Sequence, residues 1–182
     1  PETFMKEGGH INQLGPKLED LGPISGSLRE LTAKIILDNA PDILAVQEVE
    51  GQEALFQFNA RYLDRYYPYH LVLDGNDNRG IDVGILSRLP ITRIVTHQFT
   101  PPEQKQRPRK TFARDCLEVA FETPRGELTL FNNHFTSRIS DPDGSKRREP
   151  QAQGVLDIIR ARWKQPEKAD WISAGDFNAL PE

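Results

Sequence analysis

The sequence predicts a layered α/β sandwich. Two observations carry that expectation. Short apolar runs of strand length recur along the chain, and amphipathic stretches of helix length are interposed between them. A third, the length of 182 residues, suits one domain with a sizeable core, burying roughly 70% of its unfolded surface.

Taken in order, residues 1–24 are rich in Gly and Pro and read as an irregular N-terminal segment. Residues 27–40 read as a helix. Ser27 and Glu30 form a capping-box pattern, Leu28, Leu31, Ile35 and Ile36 make an apolar stripe, and Pro41 stops it. "DILAV" (42–46) is an apolar strand expected to be buried on both faces. Residues 52–64 form a second amphipathic helix with Leu55, Phe58 and Tyr62 on one side. "YHLVL" (69–73) is a strand, and 74–80 is a turn-rich loop. Strands follow at 81–87 and 91–99, separated by Pro90. Residues 117–122 and 128–134 read as strands around the hairpin "TPRGE". The loop 136–146 leads to a helix from about Arg147 to Trp163, with Val155, Leu156, Ile159 and Trp163 as its core face. "DWISA" (170–174) is the last strand.

Composition narrows the function. There are 23 basic and 27 acidic side chains, a net charge of −4, and a pI near 5.6. That balance argues against a surface uniformly basic for bulk nucleic-acid binding, yet leaves room for a local basic groove. It also suits a site of carboxylates for a hard divalent cation. One cysteine, Cys116, excludes an intramolecular disulfide. No apolar run is long enough to predict a membrane span, and no signal peptide is visible.

Polar clusters sit at three strand ends. Glu48 follows "ILAV", where a rigid backbone can hold a carboxylate at a cleft. In "LTLFNNHF" the alternation of a strand puts Leu128, Leu130, Asn132 and His134 on one face. An imidazole there can stabilise charge on a phosphoryl oxygen. In "GDFN", if the chain stays extended, Asp176 and Asn178 point the same way and Phe177 points to the core. An Asp can orient or deprotonate a water, and an Asn amide can hold it in line. Each cluster alone has a plainer reading: a surface Glu, a strand-end His on a backbone group, a turn. Together they supply acceptors for a cation and donors for an anion, the parts phosphoryl hydrolysis needs.

"PDILAVQEVE", "RGIDVGILSRLPI", "NNHFTSR" and "SAGDFNALP" together resemble the endonuclease/exonuclease/phosphatase superfamily, whose fold is that of pancreatic deoxyribonuclease. The resemblance runs from about Ser27 to Pro181 and is closest to a bacterial branch of predicted nucleases. It implies a four-layer α/β sandwich and hydrolysis of phosphoesters with a divalent metal, usually Mg2+, with Mn2+ or Ca2+ as substitutes. It implies Glu48 as the metal ligand, His134 as a contact to the scissile phosphate, and Asp176 and Asn178 as the groups that activate and position the nucleophile. Arg79, Asn132 and Arg138 are expected to line the substrate cleft, and Asp82 to stand behind a histidine and fix its tautomer.

Two departures from the family pattern stand out. No strand carrying a metal-site Asn precedes Gly15, and the chain stops before a Ser-Asp-His segment. The sandwich is therefore expected to be incomplete at both termini, and the 182 residues alone nearly inactive, with the parent protein as the enzyme. Basic stretches at 104–114 (Lys105, Arg107, Arg109, Lys110, Arg114) and 145–149 (Lys146, Arg147, Arg148) could track a phosphate backbone, with a solvated loop as the plainer reading of each, and the first favours nucleic acid as the substrate. The competing expectations are a phosphatase or phospholipase on a small phosphoester, such as a phosphoinositide or sphingomyelin, and a binding module whose site has lapsed.

Overall fold

The structure, a computed structural model, describes residues 25–99 and 110–179. The irregular segment 1–24 and the basic residues Lys105, Arg107 and Arg109 lie outside that range. Among the described residues, three α-helices and seven strands follow in the order α1 (Gly26–Asn39), β1 (Ile43–Val49), α2 (Gln52–Tyr62), β2 (Tyr69–Leu73), β3 (Asp82–Ser87), β4 (Ile91–Val95), β5 (Cys116–Thr123), β6 (Gly126–His134), α3 (Arg148–Arg162) and β7 (Trp171–Asp176).

The strands form two sheets, ordered β1-β3-β2 and β4-β5-β6-β7. All neighbours are antiparallel except β6 and β7, which run parallel and are joined through α3. Three apolar layers account for the stacking. Ala33, Leu55, Leu63, Tyr67, Val72 and Leu86 pack α1 and α2 on the first sheet. Val83, Ile85, Leu117, Val119, Phe121 and Leu130 fill the space between the sheets. Phe112, Cys116, Phe131, Phe135, Val155 and Ile159 pack α3 on the second sheet. The result is the four-layer α/β sandwich that the resemblance implied. Period-2 alternation produces it: adjacent residues Leu130 and Phe131 serve the layers on opposite faces of β6.

Several local expectations change. The cap of α1 is Ser25, whose Oγ accepts the Leu28 N–H at 3.3 Å, so Ser27 and Glu30 are not the capping pair. The apolar stripe is turned around. Ala33 is the buried contact, with Ile36 packed beside it, while Leu28, Leu31 and Ile35 are 55%, 54% and 55% exposed on the opposite side of the helix. A stripe fixes which residues share a face; the small Ala33 allows the closer approach of that face to the sheet. On α3, Leu156 is likewise exposed while Val155 and Ile159 are buried. Strand β1 is an outer strand and only half-buried, not enclosed on both faces. Strand β4 ends at Val95 because Asp115 takes over the next backbone: its carboxylate accepts the Thr96 hydroxyl at 2.7 Å and the His97 N–H at 2.8 Å. Strand β7 runs two residues further than expected, so Gly175 and Asp176 are strand residues.

A buried carboxylate, Glu118, ties the second sheet to α3. It lies 2.8 Å from His97 Nε2, 2.6 Å from Arg93 Nη2 and 3.4 Å from Arg162 Nε. Burial alone would raise its pKa, but the bonds to His97 and Arg93 outweigh that and hold it below its ordinary value of 4.5. A depressed carboxylate contributes stability that is present above 4.5 and lost as pH falls through its folded value. Glu118→Gln is expected to cost about 3 kcal/mol at pH 7 and to flatten the loss of stability in acid. Urea unfolding between pH 3 and 7 reads both effects.

A cavity of about 400 Å3 between α1 and α2 is lined by Glu30, Ala33, Lys34, Leu37, Asp38, Arg61 and Tyr62. None of these residues is a candidate for the chemistry. Among the described residues no helix is long and apolar enough to cross a membrane.

Candidate active site

The ends of β1, β6 and β7 converge. At β1 the pairing with β3 slips by one residue between Val46↔Gly84 and Val49↔Asp82. The extra residue is a β-bulge, and Glu48 sits in it with φ of 58°. The kink turns the Glu48 side chain outward, where it is 67% exposed. This left-handed backbone is uncommon for a residue with a side chain, and the surrounding bonds hold it.

Asn132 is the chief of those bonds. Its Nδ2 donates to Gly84 O at 2.8 Å and to Val46 O at 3.1 Å, and its Oδ1 accepts Gln47 Nε2 at 2.7 Å. The side chain is fully buried. Asn132 therefore lines no cleft; it staples β6 to the two strands that flank the bulge and so aims Glu48. Gln47, its partner, was not singled out from the sequence.

His134 and Asp176 are register partners across the parallel β6–β7 pair. His134 is 3% exposed. Its Nε2 lies 3.8 Å from Glu48 Oε1 and 3.9 Å from Asp176 Oδ2, so the imidazole stands between two carboxylates without bonding either tightly. Burial pushes its pKa below 6.5. Arg114 adds to that, Glu48 and Asp176 oppose it, and Arg79 also lowers it. The imidazole is thus held neutral at pH 7.

Strand β7 ends at Asp176, and the GDFN stretch does not stay extended. Asn178 has φ of 51°. Its N–H bonds Asp176 Oδ1 at 2.8 Å, and its Nδ2 bonds Phe135 O at 3.0 Å. This turn is the chemistry expected of an Asx sequence. It keeps Asn178 beside Asp176 by a loop rather than by strand alternation. Phe177 does point to the core, edge-on to Phe135 at 5.1 Å.

The remaining candidates divide. Asp82 is buried and accepts the Gly75 N–H at 2.7 Å. It fixes no histidine tautomer, and among the described residues His134 Nδ1 has no hydrogen-bond partner. Arg138 is exposed on the loop after β6 and makes no hydrogen bond or ion pair with the cluster. Arg79 is held by Asp77, through Nη2 at 2.8 Å and Nε at 2.9 Å.

Two members of the basic stretches prove structural. Arg114, expected on a solvated loop, is 5% exposed behind the site, with Nε 3.0 Å from Asp77 and Nη1 3.5 Å from Phe135 O. Burial lowers its pKa, and Asp77, Glu48 and Asp176 counter that. Arg148 bonds the buried Asp141 carboxylate through its backbone N–H at 2.9 Å, and Asp141 also receives the Lys146 and Arg147 N–H groups. That carboxylate seats the start of α3.

Residues 26–182 match the sequence profile of the endonuclease/exonuclease/phosphatase family. The chain belongs to this family. Its fold agrees with solved structures. The catalytic domain of human Nocturnin, with bound sulfate, is 19% identical over 87% of this chain and 59% of that one, with a TM-score of 0.64. Zebrafish (D. rerio) TDP2 in complex with single-strand DNA product is 21% identical over 88% of this chain and 58% of that one, with a TM-score of 0.61. ANGEL2, described as a 2',3'-cyclic phosphatase, is 17% identical over 86% of this chain and 46% of that one, with a TM-score of 0.62. The endonuclease/exonuclease/phosphatase chain described here spans about half the length of these structures. No curated protein sequence matches it.

Proposed function

We propose that this chain carries the catalytic cleft of a divalent-metal-dependent phosphodiester hydrolase acting on nucleic acid. The observation that supports it best is the convergence of Glu48, His134 and Asp176, with the imidazole 3.8 and 3.9 Å from the two carboxylates. A separation near 4 Å is too long for a tight hydrogen bond, so a phosphoryl oxygen or a water set beside the pair could meet the imidazole and a carboxylate together.

The donor set suits Mg2+ better than a cation that needs a full protein cage. Among the described residues no group of three or more His, Cys, Asp or Glu is arranged to hold an ion. Mg2+ is commonly held by one or two carboxylates, with waters and phosphate oxygens completing its shell. Glu48, exposed and aimed by the bulge, would hold it. The ion, when bound, would offset negative charge on the phosphoryl oxygens.

The protein's own groups account for the rest. Neutral, buried His134 donates an N–H to a non-bridging phosphate oxygen and takes up charge as it develops. Asp176 accepts a proton from a water whose oxygen forms the new bond to phosphorus, while the bond to the departing oxygen breaks and that oxygen takes a proton from solvent. Asn178, anchored on Phe135 O, keeps the Asp176 carboxylate turned toward that water. Arg114 supplies positive potential from behind.

TDP2 crystallised with a DNA product supports nucleic acid, and the 2',3'-cyclic phosphatase ANGEL2 supports the smaller-substrate alternative. A panel of plasmid DNA, RNA and a soluble diester, given to the full-length protein with Mg2+, separates the two. Plasmid and RNA left intact while the small diester is cleaved would overturn the nuclease reading. Glu48→Gln is expected to raise the Mg2+ concentration for half-maximal rate by about tenfold or more. Equal Mg2+ dependence in both proteins would remove Glu48 as a ligand, and inertness of the wild type toward the whole panel would favour a lapsed binding module.

A further inference from the structure

The loop between β2 and β3 is seated firmly against the segment that leads into β5. A Cβ on Gly75 would fall 2.2 Å from Arg114 O, so only glycine lets the two backbones come this close. Asn76 then bonds both ways: its N–H to Ala113 O at 2.8 Å, and its Nδ2 to Gln98 O at 2.7 Å and Phe112 O at 3.3 Å. This delivers Asp77 to the buried Arg114. Asp77 Oδ2 faces Arg114 Nε at 3.0 Å and also accepts Arg79 Nη2 at 2.8 Å. Its Oδ1 accepts Arg79 Nε at 2.9 Å and Arg79 N–H at 3.0 Å. One carboxylate, 10% exposed, thus holds two guanidinium groups of graded depth: Arg114 at 5% and Arg79 at 34%.

Two cations on one anion leave a net positive charge beside His134, opposite the negative charge of Glu48 and Asp176. Both guanidinium groups act on the His134 imidazole. Asp77 takes the Nε–Nη2 edge of Arg79, so a phosphate oxygen would meet the outer Nη1–Nη2 edge of a guanidinium fork already fixed in place, which loses little freedom on binding. Arg114 is sealed in and can act only through its field or at the floor of the cleft. Arg79 reaches solvent and can touch a ligand.

We propose that Asp77 is a positioning residue that presents Arg79, backed by Arg114, as an anchor for the phosphate next to the scissile one on a nucleic-acid strand. The proposal rests on the phosphodiester reading above. A substrate with a single phosphate already engages His134 and gains little from the anchor. A strand with several phosphates gains affinity.

The test uses the full-length protein and three variants: Arg79→Gln, Arg79→Lys and Asp77→Asn. Binding of a fluorescein-labelled DNA octamer is read by anisotropy in EDTA, where nothing turns over. KM is read with Mg2+ for the octamer and for bis(p-nitrophenyl) phosphate. Arg79→Gln is expected to weaken octamer binding by about tenfold, and Arg79→Lys to restore only part of it because the fork is lost. The rise in KM for the octamer should exceed that for the single-phosphate diester by about fivefold or more. Asp77→Asn should show the same preference; if loss of the carboxylate beside buried Arg114 unfolds it, the exposed Arg79 variants still decide. Equal losses on both substrates, or an unchanged octamer affinity in Arg79→Gln, would overturn the anchor. Octamer binding that depends on Arg79 in a protein that cleaves neither substrate would keep the anchor and sink the hydrolase reading.

Discussion

Asp176→Asn is expected to lower kcat of the full-length protein by about three orders of magnitude while leaving its fold intact. The two halves of that expectation come from different atoms. Asp176 Oδ1 accepts the Asn178 N–H at 2.8 Å, and an amide oxygen can do the same, so the turn that follows β7 survives. The Asp176 side chain is 52% exposed, so the neutral replacement strands no buried partner. What disappears is the negative charge proposed above to accept a proton from water. Single-turnover rates on an oligonucleotide and thermal unfolding of the same sample check both halves. A variant within tenfold of the wild type would remove Asp176 from the chemistry.

Gly175→Ala is expected to act on the fold, costing about 3 kcal/mol or more. Gly175 has φ of 124°, a region that side chains rarely enter. A Cβ there would lie 2.0 Å from Asn133 O and 2.8 Å from Asn133 N and C, all backbone atoms of the paired strand. A backbone clash in the parallel β6–β7 register has no flexible side chain to yield, so β7 must withdraw. Urea unfolding should show a midpoint well below that of the wild type. Unfolding within about 0.5 kcal/mol of wild type would mean that β7 relaxes without breaking its pairing.

The layers were legible in the sequence because period-2 alternation dictates them. Leu130 and Phe131, or Val119 and Cys116 on β5, follow from the pleat alone. Glu48, His134 and Asp176 were legible for a related reason: each is a polar residue just where an apolar run stops. The remaining parts of the site depend on contacts with no periodic signature. The bulge that aims Glu48 shows only in the pairing of β1 with β3, and Asn132 reads as a cleft residue until its three bonds to the other sheet are seen. Arg114 sits within a run of basic residues, and nothing local tells that the loop bearing Asp77 will close over it. The turned stripe of α1 shows the same limit. Helical spacing groups Leu28, Leu31 and Ile35, but the approach of Ala33 to the sheet decides which way the group faces.

His134 meets Asp176 only after the whole of α3 has been made and has brought β7 alongside β6. During synthesis the imidazole therefore leaves the ribosome long before its acidic partner does. A chain paused anywhere in that crossover carries no assembled cluster, and long-range parallel pairing is among the slower steps in folding. Assembly of this cluster is in this way timed to the emergence of β7. Arrested nascent chains ending before Trp171 should leave the β6 edge that pairs with β7 open to proteolysis even when their first sheet is already protected.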